Sequence, residues 1–171
     1  MTNRDMLRSL DRKIATSVQQ WSSIAPRFWN FLARFALYGF VLEATIFAFV
    51  LPWRPWVTLA LTAVACYAVT LLVQVVIRRK RPRELPQGFK LWIHTYSFPS
   101  AHASSSFACA VLGSFAALAY VPDAAPVVIA ANFLLAALIA LSRVVVGVHY
   151  PSDVIAGTFL GSTLALFAVL A

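Results

Sequence analysis

A chain of 171 residues that is 61% hydrophobic and 12% charged is not a soluble globular domain, which carries about a quarter charged residues and under half apolar ones. Its net charge of +8 is common among nucleic-acid binders, but this apolar composition excludes that class and directs the charge to anionic lipid or phosphate. The length fits one compact bundle, so an all-α polytopic membrane protein with no second domain is expected.

Residues 1–27 predict an amphipathic segment. Met6, Leu7, Leu10, Ile14, Val18 and Trp21 recur at helical spacing, with Arg8, Asp11, Arg12 and Lys13 largely between them. Such a helix lies in the membrane interface, or else packs on the bundle as an ordinary cytosolic helix. No short apolar run with a small-residue cleavage site follows the basic start, so no signal peptide is expected. Residues 28–171 then read as a single transmembrane domain. Its five runs, Phe28–Leu51, Val57–Ile77, Ala103–Val121, Ala125–Val146 and Val154–Ala171, each approach the roughly 20 apolar residues that span a bilayer. The first carries Arg34 and Glu43, and the fourth carries Arg143 near its end. Trp53 and Trp56 mark one interface, with Trp21 and Trp29 at the opposite level and Trp92 in the long loop. Cys66 and Cys109 lie apart in apolar runs and read as small buried residues. Gly157 and Gly161 form GxxxG, a close-packing signal.

With five spans, residues 78–102 and 147–153 open on the same face. That gathers Arg78, Arg79, Lys80, Arg81, Arg83, Lys90, His94, Ser100, His102, Ser142, Arg143, His149 and Asp153 at one mouth. Arginine forks match phosphate oxygens, and a helix N-terminus adds N–H donors and partial positive charge. "PSAH", Pro99 to His102, reads as such a helix start. Ser100 is either its cap or a hydroxyl donor to a bound oxyanion. Asp153 follows His149 by four residues. There it can accept the imidazole Nδ1–H, which leaves Nε2 as a nucleophile. Two histidines and an arginine cluster suit phosphoryl transfer: one attacks phosphorus, the other protonates the leaving oxygen, and the arginines hold the charge. The competing reading is a metal site of His94, His102, His149 and Asp153. Crowded arginines disfavour a dication, and there is no HExxH or CxxC spacing.

The set "RP" at Arg81–Pro82, "PSAH" at Pro99–His102 and "SRVVVGVHYPSD" at Ser142–Asp153 resembles the type 2 phosphatidic acid phosphatase superfamily. The superfamily motifs are Lys-x6-Arg-Pro, Pro-Ser-Gly-His and Ser-Arg-x5-His-x3-Asp, and the third matches at every defined position. The resemblance implies a phosphohistidine on His149, oriented by Asp153, with His102 as general acid and then base. It implies phosphate binding by Arg81, Arg143, Ser100 and the N–H of Ala101, with no metal or other cofactor. Two positions depart from the pattern: Gln74 stands in place of the motif lysine and Ala101 in place of glycine. Arg78, one turn from Gln74, is a candidate substitute for the missing charge.

Size, the amphipathic start and "GVHYPSDVIAG" are most similar to the short bacterial undecaprenyl-diphosphatases linked to bacitracin resistance. That implies a lipid diphosphate or monophosphate substrate among membrane lipids, wall-carrier recycling, and a bacterial cytoplasmic membrane with the site on the external face. The cation count disagrees. Of 14 Lys and Arg, Arg54 alone sits clearly on the far face, which puts the mouth in the cytoplasm. A cytoplasmic mouth favours phosphatidylglycerophosphate or a prenyl-linked sugar phosphate. The rival from another class is a lipid-binding or transport protein that kept the site and lost turnover.

Overall fold

The computed structural model describes residues 3–50, 52–83 and 96–170. Lys90, Trp92 and His94 fall outside the described residues. Among the described residues, eight helices follow in chain order: α1 (Asn3–Gln19), α2 (Trp21–Ile24), α3 (Pro26–Phe35), α4 (Tyr38–Val50), α5 (Trp53–Ile77), α6 (Ala101–Tyr120), α7 (Ala125–Val145) and α8 (Pro151–Leu170). α5, α6, α7 and α8 are each long and apolar enough to cross a bilayer. The protein is an all-helical membrane bundle.

The first expected span is not one helix. α3 and α4 together are long and apolar enough to span a bilayer, but they are bent by 45° at the break between them. The cause is a side chain in the backbone ladder. Arg143 Nη1 donates to the Ala33 carbonyl at 2.6 Å, the acceptor that an unbroken helix would give to the N–H of Leu37. The chain turns tightly instead, with Gly39 N–H on Ala36 O and Phe40 N–H on Leu37 O.

α6 is the central helix. Its sequence alternates Ala, Ser and Gly with few large side chains, so its neighbours approach closely, and it packs on α5, α7 and α8. The closest approach is to α8. A Cβ on Gly157 would meet the Ser100 carbonyl oxygen at 2.5 Å, and Gly161 faces the backbone of Ser104 in the same way. The GxxxG pair therefore lets the first turns of α6 and α8 lie side by side. Ser100 N–H donates to the Asp153 carbonyl at 2.9 Å, which ties the two turns together. Two polar pairs elsewhere in the bundle cross between helices: Thr70 with Ser104 at 2.8 Å, and Asn132 with Glu43 at 2.8 Å.

α1 rests on the mouth end of α7 and α8. Ala15 is buried, while Met6, Leu7, Leu10 and Ile14 remain exposed. That leaves an apolar stripe facing outward at the level of the mouth, as an interfacial helix requires.

Candidate active site

His149 sits in the short connection between α7 and α8. Gly147 turns this chain with φ +80, a conformation that suits glycine. The N–H groups of Val148 and His149 then both reach the Arg143 carbonyl at 3.2 Å. The imidazole points inward and is 1% exposed.

Both of its nitrogens have partners. Nδ1 lies 2.8 Å from the Ser97 carbonyl oxygen and Nε2 lies 3.0 Å from Arg81 Nη1. A guanidinium only donates and a carbonyl only accepts. Nδ1 therefore carries the proton, and Nε2 presents its lone pair to Arg81. The expected partner of Nδ1, Asp153, is at 3.7 Å through Oδ2, so the nearer acceptor is the backbone oxygen of Ser97. Burial pulls the His149 pKa down to about 4. Asp153 opposes that shift, and the charges of Arg81 and Arg143 reinforce it. The ring is neutral at physiological pH.

A small piece of backbone pairing brings Arg81 and Ser97 to this ring. Lys80 and Tyr96 form an antiparallel bridge, and Ser97 N–H donates to the Arg79 carbonyl at 2.8 Å. Arg81 Nη1 also donates to the Val148 carbonyl at 3.2 Å. Burial lowers the Arg81 pKa to about 10, with Asp153 opposing, so Arg81 remains a cation at neutral pH. Arg143 is buried beneath the site. Nη1 braces Ala33, and Nε is buried with no hydrogen-bond partner among the described residues.

The PSAH segment starts α6 as the sequence predicts. Ser100 is the N-cap, and its Oγ accepts from Ala103 N–H at 3.4 Å. Capping uses an oxygen lone pair, so the hydroxyl can cap and donate at once. Ala101 is the first helical residue, where backbone N–H groups have no acceptor within the helix. His102, in the same turn, is half-buried. It lines a groove of about 370 Å³ with Leu37, Ala63, Val64, Tyr67, Ala101 and Ser105.

Two expectations about the basic segment change. Arg78 ends α5 in the left-handed conformation and turns its Nε back onto the Val75 carbonyl at 2.9 Å; it is exposed. It is not brought to His149. Gln74 is 1% exposed, and its Nε2 donates to the Pro99 carbonyl at 2.7 Å, so it braces the chain entering α6. Arg79, which the sequence places at the mouth with no role of its own, reaches Asp153. Nη1 donates to Asp153 Oδ1 at 2.7 Å and to Ser152 Oγ at 2.6 Å, and Nη2 donates to Asp11 Oδ2 at 2.6 Å. Its guanidinium lies 4.2 Å from the centre of the Tyr150 ring. Asp153 Oδ2 accepts Tyr150 N–H at 2.8 Å. Sequence reasoning gave neither Arg79 nor Asp11 a part in the site. One signal was present: Asp11 is a carboxylate set among Arg8, Arg12 and Lys13.

Of the alternative metal set, His94 lies outside the described residues. Among the described residues, no three of His, Cys, Asp and Glu group so as to hold a metal ion.

The family model for the PAP2 superfamily matches residues 55–171. A decaprenylphosphoryl-5-phosphoribose phosphatase of Mycobacterium tuberculosis is 34% identical over 129 residues, 74% of this chain and 67% of that protein. The enzyme of the same name from Mycolicibacterium smegmatis is 38% identical over 105 residues, 61% of this chain and 53% of that protein. Neither relative bears the name of an undecaprenyl-diphosphatase. Among solved structures, a PAP2-type phosphatidylglycerolphosphate phosphatase from Bacillus subtilis superposes with TM-score 0.77 and 21% identity, over 98% of this chain and 86% of that one. Aquifex aeolicus LpxE superposes with TM-score 0.62 and 24% identity, over 84% of each. The chain belongs to the PAP2 superfamily of membrane phosphatases.

Proposed function

We propose that the protein removes a terminal phosphate from a polyprenyl-linked lipid, most specifically a polyprenyl-phosphate sugar that carries a phosphate monoester. The observation that carries the chemistry is the fixed tautomer of His149: Nδ1–H on Ser97 O and the Nε2 lone pair facing Arg81. A neutral imidazole with its reactive nitrogen against a guanidinium is a nucleophile beside a phosphate ligand. Nε2 attacks phosphorus as the bond to the leaving oxygen breaks, and His102 gives that oxygen a proton. Arg81, Arg143, Ser100 and the Ala101 N–H hold the phosphoryl oxygens. Water then attacks the phosphohistidine, His102 takes its proton, and phosphate leaves with Nε2 restored.

Two observations support the substrate class. The relatives above 30% identity are named for a decaprenyl-linked phosphoribose. The mouth also carries Arg79, Arg81, Arg83 and the helix bearing Arg8, Arg12 and Lys13, which the positive-inside rule assigns to the cytoplasm. On that reading the site takes a lipid made on the cytoplasmic side, rather than a carrier diphosphate discharged outside. Undecaprenyl diphosphate, which the sequence resemblance implied, is the comparison substrate.

The test is phosphate release by the purified protein in detergent with EDTA, using His149→Ala as the blank. The panel is a polyprenyl-phosphate phosphopentose, undecaprenyl diphosphate and phosphatidylglycerophosphate. Fastest release from the first supports the proposal. Fastest release from undecaprenyl diphosphate overturns the substrate and returns the protein to carrier recycling. Reporter fusions to the N-terminus test the face.

A further inference from the structure

The interfacial helix is wired to the site through the Asp11 carboxylate. Asp11, near the middle of α1, accepts three hydrogen bonds from the far end of the chain and the basic segment. Ser152 N–H donates to Oδ1 at 3.0 Å, Ser152 Oγ to Oδ2 at 2.6 Å, and Arg79 Nη2 to Oδ2 at 2.6 Å. The same Arg79 holds Asp153 Oδ1 through Nη1. Asp153 is 0% exposed, and its other oxygen faces His149 Nδ1.

Three features make this more than a surface ion pair. First, Ser152 is the second residue of α8, where backbone N–H groups have no acceptor within the helix. Asp11 therefore caps α8 from another helix, 141 residues away in sequence. Second, Arg79 grips both carboxylates with different nitrogens of one planar fork, so the position of Asp11 fixes the plane in which Asp153 is held. Third, the stacking on Tyr150 removes the remaining rotational freedom of that fork. Neither residue is a defined position of the family's motifs, and the guanidinium in contact with Nε2 is that of Arg81.

We infer that Asp11 and Arg79 are positioning residues for the phosphatase site. They orient Asp153, which holds Tyr150 N–H at 2.8 Å and faces His149 Nδ1 at 3.7 Å, so that the seat of α1 at the membrane surface acts alongside the Ser97 carbonyl on the geometry of the nucleophile. The inference rests on the phosphatase reading for its kinetic part and stands on the contacts alone for its structural part.

The test is a double-mutant cycle of Asp11→Asn and Asp153→Asn on the full-length protein, with two readouts: kcat and KM for lipid phosphate hydrolysis, and the midpoint of thermal unfolding in detergent. An asparagine at 11 keeps one acceptor and turns an NH2 group towards donors. Asp11→Asn alone should lower kcat about 10- to 100-fold, as a misplacement near 1 Å can, with KM within about twofold. In the Asp153→Asn background it should cost little more, and the Tm losses should likewise fall short of additive. Arg79→Lys keeps the charge and loses the fork; paired with Asp153→Asn it carries the same cycle should Asp11→Asn not fold. Additive losses in Tm and kcat overturn the inference, as does a rise in KM at constant kcat. A wild-type protein that releases no phosphate while the Tm values couple sinks the phosphatase reading and upholds the positioning of Asp153.

Discussion

Arg81 donates to Nε2 of His149 across 3.0 Å. The nitrogen proposed to attack phosphorus and the arginine proposed to hold the phosphate are thus already in contact. For phosphorus to reach Nε2 the guanidinium must move its donors onto the phosphate oxygens. The exchange trades one neutral acceptor for a charged one, which favours substrate entry.

Replacing Arg81 should therefore be costly even with charge conserved. Arg81→Lys keeps a cation but loses the fork, and kcat/KM should fall at least about tenfold. Steady-state phosphate release across substrate concentrations reads this directly, and an unchanged kcat/KM would remove Arg81 from the phosphate site.

The depressed pKa of His149 fixes the sign of the pH response. With a folded value of about 4 against an unfolded value near 6.5, the ring stays neutral and nucleophilic through the mildly acidic range. The acid limb of kcat/KM assigned to this group should fall near pH 4 to 5 rather than at 6.5. Its contribution to stability is complete above about pH 6.5 and is lost as pH falls towards 4, because the unfolded state takes up the proton first. A Tm profile from pH 8 to 4 should decline over that window. His149→Gln should flatten its own share of the decline.

Asp153 and His149 should not be equivalent. Since Nδ1 donates to the Ser97 carbonyl at 2.8 Å, the tautomer survives in Asp153→Asn, and that variant should keep a measurable rate. His149→Ala should lose on the order of 10³-fold or more. Equal losses in the two variants would show that the carboxylate, and not the backbone oxygen, sets the imidazole.

Gly157 holds α8 against α6, and with it the site. Gly157→Ala drives a methyl group at the Ser100 carbonyl oxygen, which would lie 2.5 Å away. Overpacking of this kind costs about 1–3 kcal/mol, so both Tm and kcat should drop. Gln74→Ala leaves the Pro99 carbonyl without its donor, a loss of about 1–3 kcal/mol. Gln74→Lys retains a donor there and should be milder. Thermal unfolding of the three variants ranks them.

The bundle was legible in the sequence because lipid demands long apolar runs, and α5 to α8 follow them closely. The break between α3 and α4 was not. It arises from Arg143 taking the Ala33 carbonyl, a contact across 110 residues that local hydropathy does not register. Motif spacing likewise pointed to His149, Asp153, Arg81 and the start of α6. It could not distinguish Arg79 from Arg78, because a left-handed residue at the end of α5 decides which of the two faces inward. The Ser97 carbonyl was invisible for a simpler reason: any residue supplies a backbone oxygen, so no side-chain pattern marks it.

The central claim is a phosphohistidine on His149, and trapping it is the most direct test. The purified protein would be mixed with a polyprenyl-linked substrate carrying a labelled terminal phosphate, quenched in base within milliseconds, and digested for mass spectrometry. The account predicts a base-stable, acid-labile phosphate on the peptide containing His149, absent in His149→Ala and, in His102→Ala, slower both to form and to hydrolyse, because that variant loses the acid of the first step and the base of the second. Turnover with no phosphate on His149 at any quench time, or with label on another residue, would contradict it.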